Sequence, residues 1–143
     1  MHWRRIPPDE DLEALLFFGV RLHGHLGPFM VAGLKMGALA LRLLDHPGYQ
    51  GIEAEVETGT TPPVSCLVDG IQISTGCTAG KGNLRIRDGG IPRATFRVRG
   101  RSLWIRLKDG WTREFYDAAE PEELARRVLY LPEEELFEWE ISP

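Results

Sequence analysis

Few side chains in this 143-residue chain could ligate a metal or attack a substrate, because it holds only four histidines and two cysteines. His23 and His25 flank a glycine in His23-Gly24-His25-Leu26-Gly27-Pro28, and both cysteines, Cys66 and Cys77, fall in the stretch from Ser65 to Asn83. Imidazole and thiolate are the donors that zinc and neighbouring divalent transition metals favour. Two histidines across a glycine can reach one ion if the turn aims them alike. They could equally be structural, and either cysteine could be a small buried apolar residue.

Spacing limits the cysteines further. On a continuous helix, residues 66 and 77 share nearly the same face but stand roughly 16 Å apart along the axis. They cannot both hold one ion within one subunit unless the helix breaks near Asp69-Gly70. Cys66 would open that helix, where the dipole favours a thiolate, and Cys77 would lie just past its end. Cys66 is therefore the better ligand or nucleophile. The run Gly76-Cys77-Thr78-Ala79-Gly80-Lys81-Gly82 resembles a phosphate-binding loop, but its glycine spacing is one residue short and Gly82 stands where Ser or Thr would hold magnesium. Those departures exclude a nucleotide triphosphatase. They leave a loop of exposed amides and one lysine suited to an anionic or carbonyl group, with a positive φ expected at one or more of Gly76, Gly80 and Gly82.

The elements that must position these groups follow from periodicity. Pro7-Pro8-Asp9 reads as a stop and a helix cap, followed by acidic Glu10, Asp11 and Glu13. Helical spacing of Leu12, Leu15, Leu16, Gly19 and Val20 then carries a helix to about Leu22 and delivers His23 at its end. Gly24 permits a break, and Pro28 opens a second helix to about Leu44. That helix is apolar nearly all round, with Gly33 and Gly37 making a small face for close packing against the Ser65 helix or a second copy. Residues 52–57 alternate as a strand. Leu67, Val68, Ile71 and Ile73 fit a short buried helix. Strands are expected at 84–87, at 94–99 and 102–107 as a hairpin around Gly100-Arg101, and at 136–141. A helix spans Pro121 to Tyr130, and residues 111–116 are ambiguous. Together they predict one α+β domain over residues 1–143, its helices packed on one antiparallel-rich sheet.

Composition excludes several classes. With 43% hydrophobic and 27% charged residues the chain builds an ordinary core, and its formal charge of -4 opposes non-specific nucleic-acid binding. Basic side chains on the strands alternate with apolar ones, as on a solvated sheet face. No apolar run is long enough to cross a membrane. Met1-His2-Trp3-Arg4-Arg5 lacks an apolar signal core, so a cytoplasmic protein with reduced thiols is expected.

His23-Gly24-His25-Leu26-Gly27-Pro28, with Cys66, Asp69-Gly70-Ile71-Gln72 and Thr75-Gly76-Cys77-Thr78-Ala79-Gly80-Lys81-Gly82-Asn83, resembles the E-subunit family of formylmethanofuran dehydrogenase over almost the whole chain. The resemblance implies an α+β core domain, often dimeric, with a metal site near the His-Gly-His turn. Many members carry a cysteine where this chain has Gly27, and some add a C-terminal zinc finger for which this chain lacks the length and cysteines. The catalytic molybdenum or tungsten centre of the enzyme belongs to other subunits, so the resemblance does not imply that reaction. Two functions are carried forward. One is a metal-binding domain, with zinc or another divalent transition metal on His23, His25, Cys66 and Cys77 and with Asp69, Gln72, Lys81 and Asn83 toward a one-carbon or cofactor-like small molecule. The other is a non-catalytic accessory module for a partner enzyme. A homodimer is expected in either case.

Overall fold

A computed structural model describes residues 11–143. The expected cap at Asp9 lies outside the described residues. The first helix, α1 (Leu12–His23), is capped by Asp11, whose carboxylate accepts from the Glu13 amide at 3.0 Å, and it ends on Gly24 at φ 104. That left-handed φ is one that glycine adopts at little steric penalty. Gly27 then caps α2 (Pro28–Leu44), with Pro28 in the first turn.

The α2 helix is central, and 15 of its 17 residues are buried. Its glycine face meets α3 (Cys66–Thr75) in the same chain. A Cβ on Gly33 would lie 2.1 Å from the Leu67 carbonyl oxygen, and one on Gly70 would lie 2.0 Å from that of Met30. The two backbones touch because neither carries a side chain there. Of the two partners the small face allowed, α3 is the one in place, so this face does not support a dimer.

The remaining elements are β1 (Glu53–Val56), β2 (Leu84–Ile86), β3 (Arg93–Val98), β4 (Arg101–Leu107), α4 (Asp109–Asp117), α5 (Pro121–Tyr130), the single turn α6 (Glu133–Leu136) and β5 (Phe137–Ser142). The sheet order is β2-β1-β3-β4-β5, with every pair antiparallel except β1 and β2. Ala54, Val56, Phe96, Val98, Leu103, Ile105 and Leu107 point inward against the helices. The alternate residues form the outer face, where Glu55 pairs with Arg87 and Arg97, Glu57 with Arg93, and Glu138 with Arg106. The basic stripe of the strands is thus interleaved with carboxylates. The expected α+β single domain, with helices on a mostly antiparallel sheet, is the observed one.

Lys35 lies within this core at 3% exposure. Its Nζ donates to the carbonyls of Val128 and Leu129 at 3.0 Å each and to that of Leu131, satisfying the C-terminal end of α5. Burial pulls the ammonium below its ordinary pKa, against the opposing charge of Glu133. The ambiguous 111–116 stretch is helical. Its first turn closes when Thr112 donates from both its amide and its hydroxyl to the Lys108 carbonyl, at 3.0 and 3.1 Å.

Candidate functional site

The end of α1, the turn into α2 and the start of α3 meet around a cavity of about 430 Å³. His23, His25 and Cys66 line it, together with Leu26, Gly27, Phe29, Met30, Phe115, Glu122 and four prolines. The chain bends at Gly24 and His25, so His23 leaves the last residue of a helix while His25 leaves the turn that follows, and their rings meet edge to face at 4.5 Å between centroids.

His23 is the most constrained of the three. Its Nδ1 lies 2.6 Å from Oδ2 of Asp69, and its side chain is 10% exposed. A carboxylate only accepts, so in the neutral ring Nδ1 carries the hydrogen and Nε2 presents its lone pair. Nε2 is buried and has no hydrogen-bond partner among the described residues. Asp69 reaches His23 because it lies one turn beyond Cys66 on the same face of α3.

Cys66 stands at the first position of α3, yet its thiol is not activated. Burial pushes its pKa up, the charge of Asp69 adds to this, and a backbone hydrogen bond opposes both. The expectation that the helix end would favour a thiolate is corrected here. Desolvation and a carboxylate one turn away both favour the neutral thiol.

The other predicted residues lie elsewhere. Cys77 is wholly buried in the core, with Sγ 3.8 Å from the Ile52 carbonyl oxygen. Burial first raises its pKa as well. Lys81 and Asn83 belong to the loop beyond the far end of α3, and the ten residues of that helix span about 15 Å. Asn83 fastens the loop, its Oδ1 accepting from the Thr78 amide at 2.9 Å and its Nδ2 donating to the Tyr49 carbonyl at 2.7 Å. Lys81 Nζ donates to the Thr78 hydroxyl at 3.1 Å. Gln72 is half-buried on α3 and does not line the cavity. Gly76 and Gly82 have φ of 72 and 73, as the reversing loop requires.

Sequence reasoning missed the apolar wall. Leu26, Phe29 and Met30 come from the turn and the first turn of α2, but Phe115 of α4 and Pro121 of α5 are brought to them from some 90 residues away, and no spacing links the two groups. The His23–Asp69 pair was also unread, although Cys66 and Asp69 at i and i+3 already placed a second polar group on the face of Cys66.

A histidine- and cysteine-lined cavity on a two-layer α+β scaffold is the class this geometry defines. Residues 22–138 match the family described as FmdE, Molybdenum formylmethanofuran dehydrogenase operon, and the chain belongs to that family. A protein of Archaeoglobus fulgidus described as a probable S-adenosyl-L-methionine-binding protein is 31% identical over an alignment of 84 residues that covers 54% of this chain and 21% of that protein. The chain thus matches about a fifth of that relative's length. An FmdE-like protein of the tungsten formylmethanofuran dehydrogenase type, from Syntrophus aciditrophicus, superposes with a TM-score of 0.66 at 20% identity, covering 99% of this chain and 77% of the other. At that identity the likeness is one of fold. Among the described residues, no helix is long and apolar enough to cross a membrane.

Proposed function

We propose that this domain binds one divalent transition metal, zinc first among them, through His23, His25 and Cys66, with Asp69 orienting His23. The observation that carries this reading is a buried Nε2 with no partner among the described residues, on a ring whose other nitrogen is held by a carboxylate. Leaving such an acceptor unmatched costs about 1 to 3 kcal/mol. A carboxylate behind a ligating imidazole is the usual support of a metal-binding histidine. Among the described residues, no three His, Cys, Asp or Glu side chains already stand as a metal-holding group. In this reading His25, which is exposed, and Cys66, which is half-buried, rotate to complete it. A bound zinc would supply Lewis acidity. Cys77 has no part in the proposed set.

The test is elemental analysis and zinc titration of the purified protein, with circular dichroism to confirm the fold of each variant. About one zinc per chain is expected, lost in Cys66→Ala and weakened roughly 10 to 100-fold in Asp69→Asn. A wild type that takes up no zinc, or a Cys66→Ala variant that keeps it, overturns the reading.

A second reading, an interaction module that associates with another copy or with a partner enzyme, is favoured by α1. Phe17, Phe18 and Leu22 are 72%, 49% and 53% exposed among the described residues. Exposed large apolar side chains grouped on one helix are characteristic of contact faces. Light scattering at micromolar concentration is expected to show twice the chain mass, reduced to one by Phe17→Glu with Leu22→Glu. A wild-type monomer removes the homodimer.

A further inference from the structure

We propose that the free edge of β5 takes up an extended segment of a partner protein in which basic residues alternate with apolar ones, adding a sixth strand to the sheet. The inference is independent of the metal reading and of the α1 face.

The β5 strand ends the sheet order and pairs on one side only, with β4. In an antiparallel ladder, every second residue of an edge strand directs both its N–H and its C=O away from the neighbouring strand. Which residues do so here follows from one bond. The Lys108 amide donates to the Leu136 carbonyl at 2.9 Å, so residues 108 and 136 face each other as a bonded pair. Along the register from there, Glu138, Glu140 and Ser142 are the residues bonded to Arg106, Trp104 and Ser102. Phe137, Trp139 and Ile141 therefore turn their backbone groups toward the free edge. The Phe137 amide is taken by the Glu133 carbonyl. Among the described residues, the N–H and C=O groups of Trp139 and Ile141 have no backbone partner beyond the edge.

The side chains decide what kind of segment fits. Trp139 and Ile141 lie on the helix-bearing face with their ladder partners Ile105 and Leu103, yet Trp139 is only half-buried and Ile141 is 39% exposed. Apolar surface thus continues to the rim on that face. Glu138 and Glu140 lie on the opposite face and are exposed. Glu138 pairs with Arg106, and Glu140 has no ion pair among the described residues. An added strand that alternates apolar and basic residues would cover the first face and set its cations beside these carboxylates on the second. The same carboxylates oppose a second copy of β5. A symmetric antiparallel pairing that bonds Trp139 to Trp139 of the second copy sets Glu138 against Glu140, and one that bonds Trp139 to Ile141 sets Glu140 against itself. Like charges directly opposite are destabilising, and charged edges are a common guard against self-pairing.

Fluorescence anisotropy on the full chain at low salt tests this with two labelled heptapeptides without free termini, one alternating lysine with valine and the other glutamate with valine. The lysine peptide is expected to bind about tenfold or more tightly than the glutamate peptide. Ile141→Pro removes an outward N–H and no bond to β4, so circular dichroism should show the fold intact while peptide binding is lost. Glu140→Lys is expected to shrink the preference to about threefold or less. A lysine peptide N-methylated at its valines cannot bond to the edge, so it is expected not to bind the wild type, a test that needs no variant to fold. Equal affinity for the lysine and glutamate peptides, binding of neither, or undiminished binding of the N-methylated peptide overturns the proposal. So does undiminished binding by a folded Ile141→Pro, or a wild-type dimer in light scattering that Ile141→Pro reduces to a monomer, since the latter puts a second copy on the edge. None of these outcomes bears on zinc uptake.

Discussion

Cys66 and Cys77 are chemically alike in the sequence and differ in the fold. Cys77 packs as a core residue, while Cys66 opens into the cavity with Asp69 one turn away. Because burial and a neighbouring negative charge both favour the neutral thiol, the Cys66 pKa lies above the ordinary value of 9.0. Alkylation of the metal-free protein by iodoacetamide is therefore expected to modify Cys66 alone, at a rate still climbing above that pH. Asp69→Asn removes a negative charge, so the midpoint of its rate profile is expected to move down. Mass spectrometry of the labelled peptides across a pH series checks both statements, and a midpoint that rises or stays fixed in Asp69→Asn refutes the charge argument. Only half of this was legible beforehand. Helical spacing identified Cys66 as the residue at the helix start, but its burial depends on a cavity whose walls include Phe29 and Phe115, far from it in sequence.

At the scale of elements, the junction of α2 and α3 was readable because glycines at a four-residue interval leave a groove that a second backbone can enter. The structure puts Gly33 against Leu67 and Gly70 against Met30, so an added methyl at either position must push two helices apart. Gly33→Ala or Gly70→Ala is expected to cost about 1 to 3 kcal/mol in chemical denaturation. Gly80→Ala, where among the described residues no atom beyond the chain neighbours lies within 4 Å of the new methyl, is expected to stay within about 0.5 kcal/mol. Similar losses at all three positions would show that backbone freedom, and not the close approach, sets the effect. Lys35 was legible only as an interruption of an apolar helix. Its partners lie 93 to 96 residues away, where the α5 carbonyls need donors, and no local pattern announces them. Lys35→Met keeps much of the apolar stem but removes those donors, and a loss of about 1 to 3 kcal/mol is expected.

The molecule as a whole places its proposed metal ligands on separate parts of the fold. His23 ends α1, His25 sits in the turn to α2, and Cys66 begins α3 some 40 residues later. A metal shared by these groups would tie the ends of three helices together, and an unfolded chain does not hold them in one place. Binding should then raise the stability of the entire domain by mass action. Zinc at a free concentration one hundred times its dissociation constant adds about 2.7 kcal/mol. For a chain of this length that corresponds to a Tm increase of roughly 5 to 15 °C in a thermal scan. Cys66 must lose its proton to coordinate, so each unit of pH below its pKa weakens binding about tenfold from this group alone. At fixed total zinc the increase should therefore shrink as the solution is acidified. Chelation should abolish it, and Cys66→Ala should lack it at every pH. Cys77→Ser supplies the control, because a hydroxyl in the core lowers the starting Tm without touching the cavity. If Cys77→Ser loses the zinc-dependent increase while Cys66→Ala retains it, the metal is held at the other end of α3.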